Sequence, residues 1–157
     1  MLVLGEFDPA LTESRLLVVD ATGDPLLPPL VKQAARKTGS LVNTADIAEE
    51  CDFFMAGRVS RGPLQIAVST AGGSPALARR IRLLLERRFP DTWSAYCEAL
   101  QDIRSEIRWK HPDSPEQRME LAELLVDSTI ELLDDPNSSG VDRGGWLAIF
   151  HRLLKDE

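Results

Sequence analysis

Within residues 69–74, Ser69, Thr70, Gly72, Gly73 and Ser74 lie between an apolar run, "LQIAV", and a helix-like run rich in arginine, "PALARRIRLLLERR". Ser74 suits a helix N-cap and Pro75 the first helical position. Glycines let a backbone approach a partner closely. A helix N-terminus presents unpaired N–H groups and partial positive charge. With the Ser69 and Thr70 hydroxyls as further donors, such a turn suits carboxylates or phosphates. No Lys-Ser or Lys-Thr follows the glycines, so this is not a P-loop. Many strand-to-helix turns use small residues for purely structural reasons, and that reading stands beside the functional one.

Charge supports an anion here. Residues 56–90 hold seven arginines, among them Arg58, Arg61, Arg79 and Arg80, against the single acid Glu86. Residues 1–55 have four bases against nine acids, and residues 91–157 seven against fifteen. A basic middle in a chain of net charge −7 points to an anionic ligand, to an interface with the acidic flanks, or to a solvated helix face. The acidic balance and the lack of aromatics among the arginines argue against nucleic acid. Cys51, Cys97, His111 and His151 are isolated, which leaves no zinc-site pattern and suggests buried or half-buried thiols. No apolar run approaches the ~20 residues that span a bilayer, and the first residues lack a signal-peptide pattern. A soluble, cytoplasmic protein is expected.

The positioning elements follow from the pattern. "LLVV" at 16–19 reads as a buried parallel strand, a helix is expected over 29–37 after Pro28, and a second strand over 41–43. Strand, helix and strand with short connections are half of a parallel α/β unit. Strands at 58–60 and 64–69 turn around Gly62-Pro63, and a helix follows over 75–89 with Ala78, Ile81, Leu84 and Leu85 as its apolar stripe. Helices are expected over 92–109 and 115–133, the second burying Leu121, Leu124, Leu125 and Ile130, with a short closing helix in "WLAIFHRLL".

"VSTAGGSPALARRIR" resembles the Ser-Thr-Gly-Gly-x-Ser-Pro stretch of the siroheme synthase family, whose members are precorrin-2 dehydrogenases and often also sirohydrochlorin ferrochelatases. "FDPALTESRLLVVDATGDPLLPPLV", "VNTADIAEECDFF" and "RGPLQIAVST" are similar to other family segments, in the same order. The resemblance implies α/β plus α architecture. The C-terminal half of a Rossmann-like NAD-binding domain is expected over 1–55, a dimerisation strand-helix region over 56–89, and a helical domain over 90–157.

It further implies NAD-dependent oxidation of precorrin-2 to sirohydrochlorin, with ferrous iron as the substrate of an accompanying chelatase, in a homodimer. The family's candidate general base falls on Asp46, which from the residues alone reads as a cap for "IAEEC". The family's substrate serine falls on Thr70. An eight-carboxylate tetrapyrrole would engage Ser69, Thr70, Gly72, Gly73 and Ser74 with Arg58, Arg61, Arg79 and Arg80. Thr22 and Asn43 fall where the cofactor would bind.

Two departures from the family bear most on the cofactor, with Ala56 in place of a proline and Pro28-Pro29 in the first helix as lesser ones. The sequence contains no Gly-x-Gly-x-x-Gly turn, so a first βαβ half with the pyrophosphate site is expected to be missing, and apolar sheet edges to be exposed. Asp20 replaces a small residue at a strand end, where it would bind ribose hydroxyls or repel the cofactor. A non-catalytic tetrapyrrole-binding or dimerising remnant is the competing expectation.

Overall fold

The computed structural model describes residues 4–45, 47–135 and 140–155. The chain divides into two compact units, Met1–Gly57 with Ser69–Ala78, and Arg58–Val68 with Arg79–Glu157.

In the first unit, β1 (Leu17–Asp20) and β2 (Leu41–Thr44) pair in parallel, with Leu17 opposite Leu41 and Asp20 opposite Thr44. The crossover is α1 (Leu27–Thr38), which packs Val31 and Ala35 on Val42, with Val18 and Phe7 alongside. The helix starts two residues earlier than its prolines suggest. Pro28 and Pro29 both sit in the first turn, where the helix needs no N–H donor. Gly39 ends it in the left-handed region, φ 75°, its N–H reaching the Ala35 and Arg36 carbonyls.

The outer edge of β2 is sealed. Asp52 donates from its N–H to the Val42 carbonyl (2.7 Å) and accepts the Val42 N–H on Oδ2 (2.9 Å). Cys51 Sγ contacts both the N–H and the carbonyl of Thr44, at 3.3 and 3.2 Å, so this half-buried thiol stands in for a neighbouring strand.

The expectation of a buried β1 needs correction. Val18 faces α1, but Leu17 is 58% exposed and Val19 51%, because nothing among the described residues covers their side of the sheet. Leu41, the register partner of Leu17, extends this bare apolar face.

In the second unit, β3 (Gly57–Arg61) and β4 (Leu64–Val68) form a hairpin, of which Gly57 alone belongs to the first unit. At the hairpin end Gly62 has φ 55°, and a Cβ there would lie 2.6 Å from Ser94 Oγ. The helices are α2 (Pro75–Arg88), α3 (Thr92–Lys110), α4 (Pro115–Thr129) and α5 (Arg143–Leu153); the first four residues of α2 belong to the first unit.

Tyr96, Ile103, Leu125, Trp146 and Phe150 make the helical core. Tyr96 meets Trp146 and Phe150 edge-on at 4.9 and 5.8 Å, an arrangement favoured by ring quadrupoles. Its hydroxyl pairs with Thr129 Oγ1 at 3.0 Å, and Thr129 in turn donates to the Leu125 carbonyl.

After α4 the chain tightens into a 3₁₀ turn, Ile130–Asp134. That change of pitch corrects a second expectation: Thr129 is buried and Ile130 is exposed. On α2 the expected stripe is partly covered: Ala78, Ile81 and Leu85 are half-buried and Leu84 is about half exposed, as is Leu77 beside it.

Candidate functional site: the turn before α2 and the strand ends

Ser69 leaves the strand that was expected to include it and starts the turn. The Ser69 hydroxyl oxygen accepts the Ala71 N–H (3.1 Å), and that of Thr70 accepts the Ser74 N–H (3.0 Å). The Gly73 N–H donates to the Thr70 carbonyl at 2.8 Å. Ser74 caps α2 as expected, its Oγ accepting the Leu77 N–H at 3.3 Å. The Ser69 and Thr70 hydroxyls are thus oriented by the backbone through their lone pairs. Neither O–H has an acceptor among the described residues, so each proton is available to an anion.

Gly72 is required for a local reason. Its φ is 80°, and a Cβ would fall 2.9 Å from Phe54 Cε1 and 3.3 Å from Ala48 Cβ. The close approach inferred for the glycines is therefore made, at Gly72, by the Phe54 ring.

The arginines separate. Arg58, Arg79 and Arg80 are exposed and form no ion pair among the described residues. Arg61 instead ties the hairpin to the end of α2. Its Nε donates to the Phe89 carbonyl (2.6 Å), Nη2 to that of Glu86 (3.2 Å) and Nη1 to that of Ser60 (2.7 Å), with Asp91 3.3 Å away. This tertiary role was not visible in the sequence, which offered Arg61 only as a ligand for substrate.

At the C-terminal ends of β1 and β2, Asp20 and Thr44 are each only 5% exposed. Asp20 Oδ1 accepts from Thr22 N (3.1 Å) and Thr22 Oγ1 (2.7 Å), while Asp20 Oδ2 and Thr44 Oγ1 have no partner among the described residues. Unpaired buried polar atoms are costly, and strand C-termini are where open α/β sheets take ligands. Nothing in the sequence marked Thr44. Asn43 Nδ2 donates to the Phe53 carbonyl at 2.9 Å and contacts Cys51 Sγ, so its amide holds the 51–53 segment. Asp46 lies outside the described residues. Among the described residues no three His, Cys, Asp or Glu side chains gather as a metal site, and no helix is long and apolar enough to cross a membrane.

Residues 4–57 match the family described as "Putative NAD(P)-binding", and residues 61–88 the family described as "Sirohaem biosynthesis protein central". The siroheme synthase of Methylococcus capsulatus is 33% identical over 112 residues, which is 71% of this chain and 24% of that protein. That of Nitrosococcus oceani is 38% identical over 96 residues, 61% of this chain and 20% of that protein. The chain therefore spans about a quarter or less of the curated relatives it matches. The solved structure of "SirC, precorrin-2 dehydrogenase" overlays with a TM-score of 0.61 and 25% identity, covering 89% of this chain and 64% of that one.

A partial Rossmann-like α/β unit followed by a helical region is thus the class of protein that the fold defines. The chain belongs to the siroheme synthase family.

Proposed function

We propose that this chain acts in siroheme biosynthesis as the tetrapyrrole-holding part of a precorrin-2 dehydrogenase, which oxidises precorrin-2 to sirohydrochlorin with NAD. Ferrous insertion into sirohydrochlorin is the second activity that such a surface would serve. The observation that carries the reading is the turn before α2, where the backbone orients two hydroxyls whose protons meet no acceptor among the described residues. It lies within the segment that matches the sirohaem central family. Carboxylates of the substrate would accept from Ser69 and Thr70, with Gly72, Gly73 and Ser74 shaping the turn and Arg58, Arg79 and Arg80 supplying charge. Arg61 supports the hairpin that bears Arg58.

For the cofactor, the groups at the strand ends fit the sugar of a dinucleotide and not its pyrophosphate. Asp20 Oδ2 is an acceptor without a donor among the described residues, beside the Thr22 and Thr44 hydroxyls, and a carboxylate repels phosphate. NAD, when bound, supplies the hydride acceptor. Asp46, two residues beyond β2, would take the proton that leaves the macrocycle, and in chelation the pyrrole protons. The half-exposed Leu77 and Leu84 of α2 support a homodimer through this helix.

The bare face of β1 favours one second reading, a non-catalytic tetrapyrrole-binding or dimerising remnant. NAD-dependent oxidation of precorrin-2 by this 157-residue chain would eliminate it. The primary test is an anaerobic absorbance titration with sirohydrochlorin. Thr70→Val, which removes both the donor to the ligand and the acceptor of the Ser74 N–H, should weaken binding at least about tenfold, and Thr70→Ser should restore it. Equal binding by all three proteins, or no binding by the parent chain, would refute the assignment of the turn.

A further inference from the structure

We propose that the helical unit carries a second ligand site, for a molecule that combines an apolar body with a carboxylate. The site is a cavity of about 720 Å³ between α3 and α4, closed at one end by the tip of the β3–β4 hairpin. Its volume falls in the range of small-molecule pockets. Leu100, Ile103 and Ile107 of α3 face Met119 and Leu125 of α4, and Leu64 comes from the hairpin.

This apolar floor is paired with charge of one sign. Among the described residues Arg104, Arg108 and Arg118 are the only charged residues lining the cavity, and no acid does so. In a chain with 25 acids against 18 bases, that local balance is the reverse of the whole. Arg104 and Arg108 are one helical turn apart on α3, both exposed, and form no ion pair among the described residues. Arg118 is held in place. Its Nη1 donates to the carbonyls of His111 (2.9 Å) and Pro112 (2.6 Å), so its charge is fixed at the cavity.

A small inorganic anion would use the arginines and leave the floor wet. A neutral apolar molecule would fill the floor and leave three cations without a counter-charge. Only a ligand with both features satisfies both surfaces. Cys97 also lines the cavity, but burial and then the Glu98 charge push its thiol above the usual range, so non-covalent binding is expected. The residues that line the site all belong to the second unit, and the proposal does not rest on the tetrapyrrole reading.

The test is a fluorescence titration of the full chain with 1-pyrenebutyrate, compared with 1-pyrenebutanol and with the pyrenebutyl trimethylammonium cation. The carboxylate should bind about tenfold more tightly than the alcohol, and the cation more weakly than either. R104Q/R108Q, at exposed positions, should erase the preference for carboxylate without moving the urea midpoint. Ala122→Trp, which fills the cavity, should abolish binding of all three probes. The proposal fails if carboxylate and alcohol bind equally, if R104Q/R108Q retains the preference, or if no probe binds. It also fails if binding weakens as protein concentration rises, since a second copy of the chain would then be the occupant.

Discussion

Arg61 Nε donates to the Phe89 carbonyl at 2.6 Å, across 28 residues of chain, and so fixes the β3–β4 hairpin to the end of α2. Two further carbonyls complete the grip, and they include one of the otherwise unpaired carbonyls that every helix end presents. Arg61→Ala should lower stability by about 1.5–3 kcal/mol, the range for hydrogen bonds to a charged group, read from the urea midpoint. Arg61→Lys should recover only part of it, since an ammonium cannot reproduce the planar fork. A midpoint unchanged by Arg61→Ala would mean that the hairpin is held by other contacts.

Gly72 and Gly23 make a controlled pair. Both have φ above 70°, but a Cβ on Gly23 meets nothing within 4 Å, whereas one on Gly72 meets the Phe54 ring. Gly23→Ala should cost only the left-handed strain, about 1–2 kcal/mol. Gly72→Ala should cost more and also weaken sirohydrochlorin binding, because Thr70 and Ser74 shift with the turn. Phe54→Ala in the Gly72→Ala background should recover part of the extra loss. Equal destabilisation by the two single variants would rule out the ring contact as the cause.

Alkaline pH should loosen the helical unit. Burial holds the Tyr96 phenol above its usual range against the opposing Thr129 hydrogen bond, and burial with the Glu98 charge does the same for the Cys97 thiol. Both groups are acids whose neutral form the fold favours. The unfolded chain releases their protons first, near about pH 8.5 for the thiol and about 10 for the phenol. Stability is therefore complete below those values and is lost as pH rises through them toward the folded-state values. The urea midpoint should be flat from about pH 6 to 8 and fall above about 9, with Cys97→Ala blunting the first part of the fall. A midpoint constant to pH 11 would contradict this account.

The bare face of β1 has a direct consequence for solution behaviour. Leu17 and Val19 protrude from one side of a two-stranded sheet, and exposed apolar strand surface promotes association. L17K/V19T should reduce self-association in sedimentation velocity without lowering the thermal midpoint by more than a degree or so, since neither side chain packs in the core. A large loss of stability would mean that this face is covered in solution.

Much of the fold was legible because its signals are local. Apolar runs flanked by turn formers located the strands, Gly39 ended α1, and Ser74-Pro75 started α2. Errors arose where tertiary context decides. Ile130 carried a helical period into a segment that tightens to 3₁₀. The turn at 69–74 could be read from residue types alone. The three-carbonyl grip of Arg61 and the use of the Asn43 amide by the 51–53 segment depend on residues brought close only by folding. Asp20 stood out as a charge at a strand end, whereas Thr44 gave no signal until its register partner was known.

The seal on β2 makes the small sheet polar in its capacity to grow. With Asp52 and Cys51 occupying the far side of β2, the flank of this sheet left open to hydrogen bonding among the described residues is that of β1. Any strand supplied from outside could add in a single position, next to β1, so the order of the enlarged sheet is dictated before the newcomer arrives. A split-protein experiment would exploit this: on this sheet a separately expressed complement has one place to dock, and addition beside β2 is blocked by the Asp52–Val42 and Cys51–Thr44 contacts rather than by the complement's own sequence.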